Sequence, residues 1–109
     1  MTKEENLQYF LNTLYKTIQS RKGGNIDESY TALLFEKGVQ QITKKIGEES
    51  TEVIIAALSE TPERVISESA DLLFHLLVLW ANHNITPNSV FKELENRTEA
   101  SGLEEKSLR

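Results

Sequence analysis

Apolar residues recur along most of this chain at helical spacing. Leu7, Phe10, Leu11, Leu14 and Ile18 follow i, i+3, i+4, i+7 and i+11, the pattern of one buried stripe. Gly23-Gly24-Asn25 breaks that helix, Ser29 is placed to cap a short turn through Phe35, and Gly38 interrupts again. From Val39, the positions Ile42, Ile46, Val53 and Ala57 predict a second long helix ending near Ser59. Thr61-Pro62-Glu63 has the form of an N-cap followed by proline at the first helical position. The third long helix then runs to about His83, and Thr86-Pro87 repeats the start signal for a last helix carrying Val90 and Leu94. Both prolines sit where helices begin, and no alternating strand pattern of useful length is present. The expected fold is all-α, a single domain over residues 1–109 with four to five helices. Residues after about 98 are polar and read as a mobile tail.

Two stretches are apolar nearly all the way round, Val53-Ile54-Ile55-Ala56-Ala57-Leu58 and Leu72-Leu73-Phe74. A helix in a small monomeric bundle keeps one face wet, and 109 residues are too few to cover both faces of both helices. A homodimer, the simplest two-fold assembly, is the expected way of completing the bundle.

Composition narrows the function classes. The 12 Lys and Arg against 17 Asp and Glu give a formal charge of −5, which argues against nucleic-acid and anionic-membrane partners. The absence of cysteine excludes disulfides, a thiol nucleophile and thiolate-bound zinc or iron–sulfur clusters. Met1-Thr2-Lys3-Glu4-Glu5 lacks the apolar core of a signal peptide, and the longest apolar run, Leu72 to Ala81, is too short to span a bilayer. A cytoplasmic setting is expected.

The informative feature is Glu48-Glu49-x-x-Glu52 on the second long helix, followed by Glu68-x-x-Asp71 on the third. An antiparallel hairpin through the Thr-Pro turn brings the two acidic pairs level. At about 100° per residue, with Ile46 at zero, Glu49 falls near −60°, Glu52 near −120° and Glu48, pointing outward, near −160°. With Leu72 at zero, Glu68 falls near −40°, His75 near −60° and Asp71 near −100°. Glu49, Glu52, Glu68 and Asp71 therefore border the packed interior. Like charges gathered in partly dry surroundings call for a cation, and an all-oxygen set favours a hard ion, Mg²⁺ or Mn²⁺. Such an ion commonly grips polyphosphate and positions a water on phosphorus. The competing reading makes these acids ordinary surface charges, with Lys44–Glu48, Lys45–Glu49 and Arg64–Glu68 as i, i+4 pairs. Glu52 and Asp71 have no basic residue at that spacing. His75 reads as a buried structural histidine rather than a fifth ligand, and the absence of a repeated Glu-x-x-His disfavours a di-iron bundle.

The acidic motif resembles the signature of the all-α, MazG-like nucleoside-triphosphate pyrophosphohydrolases. Ser29-Tyr30-Thr31, Lys37-Gly38, Lys45-x-Gly47-Glu48-Glu49, Ala70-Asp71-Leu72-Leu73-x-His75-Leu76-Leu77 and Ser101-Gly102-Leu103-Glu104-Glu105-Lys106 resemble, within that superfamily, the phosphoribosyl-ATP pyrophosphatases of histidine biosynthesis. The match runs from about Leu7 to Lys106. Leu33 departs from it, standing where the pattern has lysine after Ala32; this bears on a phosphate contact and leaves the acids untouched.

The resemblance implies a MazG-like bundle and hydrolysis of phosphoribosyl-ATP to phosphoribosyl-AMP and pyrophosphate. It implies Mg²⁺ on Glu49, Glu52, Glu68 and Asp71, with Glu48 holding a second ion, ordering the water or acting as general base. Lys37, Lys44 and Lys45 are candidate phosphate contacts, or else part of a solvated face. Family members often carry a fused cyclohydrolase that needs cysteine-bound zinc, so here that activity is expected on a separate chain. The alternative within the superfamily is a house-cleaning hydrolase of canonical or modified nucleoside triphosphates. A non-catalytic helical dimerisation module is the alternative outside it.

Overall fold

The computed structural model describes residues 2–59 and 61–98, and the expected tail after about 98 lies outside them. The described residues form five helices and no strand: α1 (Lys3–Ser20), α2 (Tyr30–Lys37), α3 (Val39–Ser59), α4 (Pro62–Asn82) and α5 (Pro87–Thr98). The starts follow the anticipated local chemistry. The Ser29 hydroxyl accepts from the Ala32 N–H at 3.0 Å, and Thr61 caps α4 ahead of Pro62. α2 runs two residues beyond Phe35, to Lys37, and stops at Gly38. There φ is +85°, a value that a side chain resists, and the Gly38 N–H closes back on the Leu34 carbonyl.

α3 and α4 form the antiparallel hairpin that organises the molecule, with α1 and α2 packed across one end of it. The core lies at that end. Ile18 and Tyr15 from α1, Leu34 from α2, Ile42 from α3 and Leu77, Val78 and Ala81 from α4 are its buried members. The Tyr15 hydroxyl donates to the Ile85 carbonyl, and Lys22 reaches the Ala81 carbonyl at 2.6 Å, so two polar bonds tie α1 and its following loop to the end of α4 and the connection after it. Burying Leu77 and Val78 fully stabilises the fold by about 1.5–3 kcal/mol each.

Three expectations are corrected. Leu7 and Phe10, anticipated inside, are 65% and 59% exposed; Leu7 lies beside Phe91 and Glu95 of α5 rather than in the core. On α3 the buried line passes through Ile42, Val53 and Ala56, while Val39 and Ala57 are exposed. Relative to Ile46 that line is rotated about 40° toward Glu49, because α4 covers that flank. The third concerns membranes: by length and composition, α4, at 21 residues, is long and apolar enough to cross one, although its uninterrupted apolar run is short. Its C-terminal half builds the core, which is the other role such a helix serves.

Candidate metal-binding active site

The rotation of α3's inner face decides which acids meet. Glu49 sits near the middle of that face instead of on its shoulder, and is half-buried. Across the hairpin, Glu68 is 7% exposed, the one buried carboxylate among the described residues. Asp71, three residues further along α4, is exposed. One oxygen from each of Glu49, Glu68 and Asp71 lies within 4.8 Å of the others. Three of the four anticipated ligands are thus gathered from two helices. Glu52, a turn beyond Glu49, is exposed and outside this group, and Glu48 points outward as anticipated.

Of the three i, i+4 pairs that spacing suggested, Lys45–Glu49 and Arg64–Glu68 form, while Glu48 takes Lys45 in place of Lys44. Lys45 bridges both neighbouring acids, with its ammonium 3.2 Å from Glu48 Oε2 and 3.6 Å from Glu49 Oε1, so Glu48 pairs with Lys45 and not Lys44. Arg64 takes Glu68 at 2.5 Å, as anticipated. Asp71 has no basic side chain within ion-pair distance among the described residues. The hydrogen bond to Glu48 raises the Lys45 pKa above its usual value, with smaller contributions from Glu48 and Glu49 charge. Lys37 and Lys44 are exposed, Lys37 in the last turn of α2 and Lys44 one residue before the bridging lysine.

The donor set fits a hard divalent ion. With metal–oxygen bonds of about 2.0–2.1 Å, two oxygens on Mg²⁺ stand roughly 3–4 Å apart, so small side-chain rotations close the observed group around one ion. Among the described residues, no sulfur or free imidazole competes for the position. His75, although one turn from Asp71, is buried with both ring nitrogens engaged, Nδ1 at 2.7 Å from the Asp71 carbonyl and Nε2 at 2.9 Å from the Tyr30 hydroxyl. It is a structural histidine, as the sequence indicated. Tyr30 was legible only as part of a motif, since nothing in spacing pairs residues 45 apart in the chain.

Residues 11–98 match the family model described as phosphoribosyl-ATP pyrophosphohydrolase, a span that includes all five acids, Tyr30 and His75. The chain belongs to the phosphoribosyl-ATP pyrophosphohydrolase family. Similar relatives include the phosphoribosyl-ATP pyrophosphatase of Paramagnetospirillum magneticum, 50% identical over 99 residues, covering 91% of each chain. That of Trichlorobacter lovleyi is 50% identical over 102 residues, covering 94% of each. The histidine biosynthesis bifunctional protein HisIE of Caldanaerobacter subterraneus is 47% identical over 87 residues, 80% of this chain but 42% of that longer protein. In this family member, then, the convergent carboxylates lie inside the matched segment and the fold that carries them is all-α.

Proposed function

We propose that this chain hydrolyses phosphoribosyl-ATP to phosphoribosyl-AMP and pyrophosphate, the second step of histidine biosynthesis, with Mg²⁺ held by Glu49, Glu68 and Asp71. The supporting observation is the convergence of those three carboxylates from two helices, in a chain half identical to named phosphoribosyl-ATP pyrophosphatases. Glu52 is assigned as the fourth ligand, reached by side-chain rotation, and Mn²⁺ as a substitute ion.

A bound divalent ion would neutralise phosphate charge and polarise the phosphorus centre. The protein's own share is positional. The α3–α4 hairpin fixes the spacing of Glu49 against Glu68 and Asp71, and Arg64 holds Glu68 at Oε1. Lys45 bridges Glu48 and Glu49, and outward-pointing Glu48 is assigned to hold a second ion, to order the attacking water or to take its proton as general base. Oxygen from that water joins phosphorus, the bridging P–O bond between the α- and β-phosphates breaks, and pyrophosphate departs. Lys37 and Lys44 are assigned to the substrate's outer phosphates by their charge and exposed position.

Further parts of this reading are a homodimer and a cytoplasmic setting; these 109 residues contain no cysteine to hold a cyclohydrolase zinc. Pyrophosphate release from phosphoribosyl-ATP, measured with and without Mg²⁺, tests the activity. Rapid turnover of canonical or modified nucleoside triphosphates, with none of phosphoribosyl-ATP, would establish the house-cleaning alternative instead.

A further inference from the structure

Of the three clustered acids, Glu49 is held by Lys45 and Glu68 by Arg64, while the Asp71 carboxylate has no basic partner among the described residues. What is held is its main chain. The carbonyl of Asp71 lies 2.7 Å from His75 Nδ1. A carbonyl only accepts, so Nδ1 carries the proton, and in the neutral ring Nε2 must accept the Tyr30 hydroxyl hydrogen at 2.9 Å. That carbonyl is also the normal acceptor for the helical N–H of residue 75, so the side-chain bond adds a second restraint at the turn bearing Asp71. The imidazole is 5% exposed and is gripped edge-on by Tyr30 and Phe74, with ring centroids at 5.8 Å and 5.3 Å. Tyr30, in turn, opens α2 directly after its Ser29 cap.

We propose that Tyr30 is a positioning residue for the metal-binding cluster: through His75 it latches the first turn of α2 to the turn of α4 that carries Asp71, fixing Asp71 against Glu49 and Glu68. The inference rests on the metal-site reading above. An outer partner that orients a ligand typically contributes tenfold or more to metal affinity, and here Asp71, the one of the three clustered acids without a basic partner among the described residues, has a built restraint behind it.

The test is Mn²⁺ binding to the full chain, followed by paramagnetic resonance of free Mn²⁺, alongside thermal unfolding and Mg²⁺-dependent turnover. Tyr30→Phe removes the hydroxyl and leaves the ring in place. His75→Asn retains a donor for the Asp71 carbonyl but is too short to reach Tyr30. The expected result is Mn²⁺ affinity about tenfold weaker in each, with the Mg²⁺ needed for half-maximal rate raised in parallel. The double variant should be no weaker than either single, since both break one linkage. Unchanged Mn²⁺ affinity in Tyr30→Phe, whether or not its melting temperature falls, overturns the latch. Absence of Mn²⁺ binding by the unaltered chain overturns the metal site itself and the latch with it, an outcome distinct from the first.

Discussion

At the scale of single residues, the cluster's asymmetry makes its members unequal. Glu49→Gln, Glu68→Gln and Asp71→Asn each remove a charge from the convergent group and should lower turnover by roughly 10²–10³-fold, the scale of losing one preorganised electrostatic contact. Glu52→Gln, altering a side chain that must rotate inward, should cost less. Steady-state rates at saturating Mg²⁺, with circular dichroism to confirm folding, measure the ranking; equal losses at Glu52 and Glu49 would place Glu52 fully among the ligands. The alkaline limb of stability belongs at this scale too. Lys45 is raised above 10.5, first by its bond to Glu48, and Tyr30 is raised above 10.0, first by burial; Tyr15 moves the same way through burial. In each case the folded state holds the proton more tightly than the unfolded chain. Their contribution is therefore complete below about pH 10 and is lost as pH rises through the folded values. Melting temperature should decline as pH rises above about 10, and less steeply in Lys45→Met. The partly exposed lysine makes that difference small.

Among the helices, the local signals carried far. Removing the Ser29 hydroxyl, which accepts the Ala32 N–H, should destabilise the chain by about 1 kcal/mol in denaturant unfolding, the usual worth of an N-cap. Helix boundaries at Thr61-Pro62, Thr86-Pro87 and Gly38 were legible because capping and backbone φ are decided by neighbours in sequence. The pairing of Arg64 with Glu68 was legible for the same reason. The face of α3 was not legible to better than about 40°, because Ile42, Ile46, Val53 and Ala57 make an apolar stripe broad enough to pack at several rotations. Where α4 lands chooses among them. It selects Ala56 over Ala57 and brings Glu49 inward, while leaving Glu52 outside. The Tyr30–His75 bond is beyond any periodicity argument, since it joins two helices through side chains.

For the whole molecule, the question is what covers the far end of the hairpin. Leu58 is 82% exposed and Ile66 70%, with Ile54, Ile55 and Leu73 also open on α3 and α4. The radius of gyration is 16.0 Å, against about 13 Å for a compact monomer of this length. A core gathered at one end of an extended hairpin leaves apolar surface that a second copy of the chain can bury, which is the basis of the proposed homodimer. Sedimentation equilibrium should give twice the chain mass at micromolar concentration. The melting temperature should rise with protein concentration, since dissociation is then part of unfolding. Replacing both Leu58 and Ile66 by Lys should shift the mass toward that of one chain and lower the melting temperature, because two charges would have to be desolvated at the interface. The acids offer an independent control. Mg²⁺ at a hundred times its dissociation constant should stabilise the assembly by about 2.7 kcal/mol, and that increment should vanish in Asp71→Asn while the oligomeric mass stays unchanged. A monomer whose stability ignores both its concentration and Mg²⁺ would remove the dimer and the metal site together.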